Sequence, residues 1–241
     1  MAVIHKTTMN PGKLELLAAW LPAQPWHAAG AGKPELARAG GFRLNDPEGQ
    51  VGIEFMAVTS RSGGQAVTYL VPMTYRGQAL AGAGHALIGT SQHGVLGQRW
   101  IYDGLRDPVL VAQMVALIQG EAQAQLQNTS NTPDPSVTGQ PVTAGRLTAI
   151  ASEVVANGAA GSDVRVRTRD GGTSNGELII HVKRVLRPGA DLSGQTGGPC
   201  LSGTWRLPNG DTVRGIFATA EYASPAAGSD SVGVHVTGPR R

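Results

Sequence analysis

The chain of 241 residues holds one cysteine, no block of lysine or arginine, only 5 % aromatic residues and no apolar run near the roughly 20 residues that a membrane span needs. A lone Cys200 rules out an internal disulfide and fits a reduced compartment. The start, MAVIHKTTMN, has no basic region followed by an apolar run, so a cytoplasmic protein is expected. The formal charge is +3, and the basic residues Arg165, Arg167 and Arg169, or Lys183 and Arg184, stand at strand-like alternation on solvated faces, which argues against a nucleic-acid binder. The six histidines show no ligand spacing, and no metal site is expected. Charged residues make up 15 %, below the roughly 25 % usual in soluble domains, and 34 glycines point to a loop-rich protein built on strands.

What is present divides the chain nearly in half. In NPGKLELLAAWLPAQPW, Asn10 is placed to cap, Pro11 to begin a helix, and Leu14, Leu17 and Leu21 form one stripe ending at Pro22. VGIEFMAVT, QAVTYLVPMTYR and GVLGQRWIYDG read as antiparallel strands. A second helix is predicted in RDPVLVAQMVALIQG, with Asp107 as cap, Pro108 first, Leu110, Met114, Leu117 and Ile118 buried, and Gly120 as stop. The composition of residues 121–140, rich in Gln, Asn, Thr and Pro, predicts a linker between a domain over 1–120 and another over 141–241. The second half reads as strands throughout, with a hairpin turn at Pro208-Asn209-Gly210.

Three stretches of the first half, WLPAQPWHAAGAGKPEL (Trp20 to Leu36), VPMTYRGQALAGAGHALIG (Val71 to Gly89) and YDGLRDPVLVAQMVALI (Tyr102 to Ile118), resemble the N-terminal cap domain of actinobacterial maltokinases. Leu21, Pro22, Trp26 and Lys33 fit that pattern, whereas Pro25 replaces an Arg and His27 an aromatic residue. The resemblance implies an α+β fold: a cystatin-like curved antiparallel sheet with helices, followed by a mostly antiparallel β domain similar to a kinase small lobe. In the second half, LIIHVKRVLRPG (Leu178 to Gly189) resembles the small-lobe strand that carries the ATP lysine, with Gly171 to Asn175 in the place of the phosphate loop. Anchored on Pro188-Gly189, His181 falls at the lysine position, and Lys183 lies two residues on, about 7 Å further along the same face.

An imidazole does not replace a permanent ammonium charge, and the sequence has no His-Gly-Asp or His-Arg-Asp loop and no Asp-Phe metal motif. After Gly189, ADLSGQTGGPC leaves no room for a helix bearing a glutamate partner for the lysine. The expectation is a non-catalytic accessory or regulatory module related to maltokinase, acting in maltose, trehalose or α-glucan metabolism. No catalytic residue, cofactor or metal is assigned. Its expected partner is a pathway enzyme or a second copy, met through a surface including Trp26, Lys33, Ile179 and Ile180. Two alternatives stand beside it: a split or direct ATP-dependent maltose kinase, which would use ATP with magnesium and Lys183 in place of His181, and a carbohydrate-binding module built on Trp26, Trp100 and Trp205.

Overall fold

The computed structural model describes residues 8–28, 34–62, 65–129, 131–141, 147–170, 175–189 and 198–223. The fold is mostly antiparallel β with two short helices, α1 (Lys13–Trp20) and α2 (Pro108–Ile118). The strands are β1 (Met9–Asn10), β2 (Glu35–Leu44), β3 (Gly52–Ser62), β4 (Gln65–Arg76), β5 (Leu87–His93), β6 (Gly97–Asp103), β7 (Gln125–Leu126), β8 (Thr138–Gln140), β9 (Leu147–Gly158), β10 (Gly161–Asp170), β11 (Asn175–Val182), β12 (Val185–Leu186), β13 (Cys200–Arg206) and β14 (Thr212–Tyr222). One sheet runs β1-β5-β6-β4-β3-β2-β7, with β12 added beside β4. The other runs β8-β13-β14-β11-β10-β9. Among the described residues no helix is long and apolar enough to cross a membrane.

Helix α2 forms as its sequence predicts. The Asp107 carboxylate accepts from the Val109 N–H at 3.0 Å, Pro108 opens the helix, and Gly120 leaves it at φ 76°. For α1 the start is corrected. Met9 and Asn10 pair with β5 as a strand, so the cap passes from Asn10 to Gly12 and the first helical residue is Lys13. Strands β2 and β5 carry no clean alternation in the sequence: Gly40-Gly41 interrupts β2 at a bulge, and β5 is a Gly-Thr-Ser run.

The first sheet is covered on both faces. Met56 and Val58 of β3 lie with Leu17, Leu21, Trp26 and Tyr69 on the α1 side. Ile53, Phe55 and Ala57 face the other way, into an interior shared with α2 and the second sheet. The inner row of the second sheet, Val164, Val166, Leu178, Ile180 and Val182, is buried there to within 1 % exposure. At the centre, Phe42 stacks on Phe55 with ring centroids 4.6 Å apart and faces Phe217 at 6.1 Å, and Trp205 lies 6.0 Å beyond. The opposed pair Gly203 and Gly215 makes room for these rings, because a Cβ at either position would come within 3 Å of Phe217 or Trp205.

Residues 121–140, read from composition as a linker, are built into this arrangement. β7 extends the first sheet at β2, and β8 extends the second at β13. Ala124 and Val137 enter the shared core. Arg214 holds the Ser136 carbonyl at 2.6 Å and the Thr138 hydroxyl at 2.5 Å. Gly139 lies so close to α2 that a Cβ would stand 2.2 Å from the Leu117 carbonyl oxygen. Composition underrates such a segment, since two small apolar side chains and a paired backbone suffice to order it. The chain also crosses between the sheets within a few residues, from β11 in one to β12 beside β4 in the other.

Because Phe217 touches both halves, Phe217→Ala should lower the unfolding free energy by about 3–5 kcal/mol. In urea, tryptophan fluorescence and far-UV circular dichroism should report one coincident transition for wild type and variant alike. Two separated transitions would contradict the shared core.

Candidate functional site

Strand alternation sends one row of each second-sheet strand inward and the other outward. The inward row closes the core, so the chemistry of this half lies on the outer face. There Asp163 of β10 stands opposite His181 of β11. The Asp163 carboxylate lies 2.8 Å from His181 Nδ1, and Glu221 of β14 lies 3.4 Å from Nε2. Lys183, just past the end of β11, is exposed, while its backbone N–H donates to the Phe217 carbonyl. His181, Lys183, Asp163 and Gly161 line one hollow of about 270 Å³. A second hollow, of about 390 Å³, lies alongside where Arg165 is bracketed by Glu153 at 3.1 Å and Glu177 at 3.2 Å.

Charges of both signs interleave on this face, where Arg167, which lines the second hollow, and Arg169 are exposed on the same row of β10 as Arg165. Two carboxylates face the one imidazole, and Arg165 is held between two more. A phosphate oxygen brought to about 5 Å from either Asp163 or Glu221 would meet roughly 3 kcal/mol of repulsion at a surface-like dielectric. Among the described residues, Lys183 is the lysine or arginine that lines the hollow at His181.

The structure brings His181 and Lys183 together and separates the other residues expected at a surface. Trp26 is 3 % exposed: its ring lies 5.6 Å from Tyr69 and 5.1 Å from the Arg184 guanidinium, so it is a core anchor and not a docking residue. Ile180 is fully buried, because even-numbered residues of β11 point inward. Ile179 is half-buried on the outer face, opposite Glu221. Lys33 and the loop residues 171–174 lie outside the described residues, as do residues 190–197. Trp205 is also buried, and Trp100, half-buried, packs against the Leu80–Leu87 region, so the three tryptophans form no common platform.

Three buried ionic centres among the described residues escaped the sequence reading, one of them at Asp107, whose carboxylate caps α2 and also accepts from Arg76 Nε at 2.6 Å and Nη2 at 2.7 Å. Arg184, 1 % exposed, donates from Nε to Ser162 at 2.8 Å and from Nη2 to Asp103 at 2.5 Å. Its signal was available: it continues the apolar row Leu178, Ile180, Val182 as that row's one cation. Glu54 is the acidic residue of the strand VGIEFMAVT, and α1 covers its face. Its carboxylate accepts from Lys13 Nζ and Tyr75 Oη at 2.6 Å each, Gln127 Nε2 at 2.9 Å and Arg38 Nη2 at 3.3 Å. Burial pushes the Glu54 carboxyl up, but Lys13, Tyr75 and Arg38 together hold it below its ordinary value. Burial, and after it the same carboxylate, push the Tyr75 phenol well up.

Residues 20–107 match the family model of the maltokinase N-terminal cap domain. The chain thus carries that cap domain, from the last residue of α1 to the residue that caps α2. No curated protein matches the chain.

A carboxylate whose folded value is depressed stabilises the fold above its unfolded value, about 4.3, and loses that contribution as pH falls through the folded value. Glu54→Gln should therefore cost about 1–3 kcal/mol at neutral pH and flatten the acid limb of the stability curve below about pH 4. Urea midpoints measured from pH 7 to pH 2 check this. An unchanged acid limb would remove Glu54 from that role.

Proposed function

We propose that the chain is a non-catalytic accessory or regulatory module related to maltokinase, acting in maltose, trehalose or α-glucan metabolism. In this reading the first sheet is the cystatin-like sheet of the cap, and the second is a small-lobe-like sheet that no longer grips a nucleotide. One observation carries it. At the position where the resembling kinases place the ATP lysine stands His181, engaged by Asp163 and Glu221, so carboxylates flank the place where a permanent cation would meet the phosphates. The cap-domain match over residues 20–107 supports the link to maltokinase. The partner is a pathway enzyme. Since the apolar row Leu178, Ile180 and Val182 is spent on the core, the outer face around Ile179 and the Arg165 cluster is where it docks.

A second reading, an ATP-dependent maltose kinase working alone or with a separate catalytic chain, is favoured by Lys183, which borders the same hollow as His181. Calorimetric titration separates the two. The accessory reading expects no heat with ATP–Mg and no ATP turnover with maltose or trehalose. Turnover of ATP with maltose that is lost in Lys183→Ala would overturn it.

A further inference from the structure

The α1 side of the first sheet holds more positive charge than it spends. Glu54 of β3 is the carboxylate at its centre, and its side chain is only 4 % exposed. Lys13, the first residue of α1, bonds one of its oxygens and Arg38 of β2 the other, and these two side chains reach water at 31 % and 37 % exposure. A third cation, Arg43 of β2, stands directly opposite Glu54 in the pairing of β2 with β3. The Tyr75 phenol, pushed well up, is neutral there. Three cations against one carboxylate leave two positive charges over, with the carboxylate covered and the cations towards the surface.

Arg43 is the residue that this excess rests on. Lys13 and Arg38 are engaged by Glu54, and Arg38 also donates from Nη1 to Asn128 at 3.1 Å. Among the described residues the Arg43 guanidinium makes no hydrogen bond and no ion pair. It is half-buried, and burial pulls it below its ordinary value, an effect that Glu54 and then Tyr75 offset only in part. A charge that has lost water without gaining a partner is costly. Neighbouring carboxylates do not supply one: Glu15 turns back to the Gly12 N–H, and Asp46 accepts from the backbone N–H groups of Glu48, Gln50 and Val51.

The charge count selects the ligand. A monocarboxylate would leave half of the excess unmet, whereas a phosphate group carries about −1.5 to −2 at neutral pH and at least three strong acceptor oxygens. A guanidinium takes two such oxygens as a fork, and an ammonium meets another as a point charge. Lys13 has one of its three protons on Glu54 and the others to give.

We propose that Arg43, with Lys13 and Arg38, forms a site on the cap for a phosphate dianion, as inorganic phosphate or as the phosphate of a monoester. The site uses neither His181 nor Lys183, so it stands independently of the accessory-module reading.

Calorimetric titration of the full chain with inorganic phosphate at constant ionic strength tests it. Saturable binding is expected, with none for acetate. Arg43→Gln should weaken it about tenfold or more without lowering the urea midpoint measured in phosphate-free buffer, since this guanidinium bonds nothing in the unliganded protein. Arg43→Lys, which keeps the charge but not the fork, should fall between. Two controls place the ligand: Lys183→Gln, at the hollow by His181, and Arg167→Gln, on the outer face of the second sheet, should bind phosphate as the wild type does. Glycerol 2-phosphate separates the two sources, since binding at least as tight as that of phosphate assigns the site to an ester and weaker binding assigns it to free phosphate. Heat with ATP–Mg that is lost in Arg43→Gln and kept in Lys183→Ala belongs to this site and not to a nucleotide grip. The proposal is overturned if phosphate shows no saturable binding, if acetate binds equally well, or if phosphate binding survives Arg43→Gln or disappears in Lys183→Gln.

Discussion

A single buried guanidinium joins the parts of this molecule. Arg184 leaves the end of β11 and reaches Asp103 at the end of β6, Ser162 at the start of β10 and the face of Trp26. Its own carbonyl accepts from Leu70 of β4. One residue thereby holds together both sheets and the segment after α1. Taking such a charge from water costs several kcal/mol unless its partners are well placed, and the ion pair, the hydroxyl and the aromatic face offset that cost only when all three arrive together. The geometry between the sheets is therefore over-determined, and the aromatic stack of Phe55, Phe42, Phe217 and Trp205 fills the space it defines.

The proposed accessory role starts from what this interior consumes. The apolar row of the second sheet is fully committed inward, so only the outer row is left to meet another molecule. That row holds Arg165 between Glu153 and Glu177 and His181 between Asp163 and Glu221. Strands β2 to β4 of the cap domain, together with α2, Ala124 and Val137, supply the rest of the interior and so fix which face stays open.

Much of this was legible in the sequence where local rules agree with burial. Helix α2 announced itself through Asp107, Pro108 and Gly120, and β10 through strict alternation. The cap was recognisable from its own residues. What was hidden depended on tertiary context. Glu54 reads as a surface residue until α1 covers it. Residues 121–140 look unable to order until Ala124, Val137 and Gly139 find places against α2. Trp26 and Ile180 appear available for docking until the two halves close on one another. Arg184 broke an apolar row, which is a readable signal, but its partners Asp103 and Ser162 lie too far away in sequence to be found by spacing.

Native-state hydrogen exchange in rising urea tests the central claim, one interior made by both halves, most directly. The slowest amides of β3 and β4 and those of β10 and β11 should merge into one unfolding isotherm, with the same free energy and the same denaturant dependence. If the second sheet's amides instead open along a separate isotherm of lower free energy and smaller slope while β3 and β4 remain protected, the two halves are independent units, and the account given for the buried face and for the open one fails together.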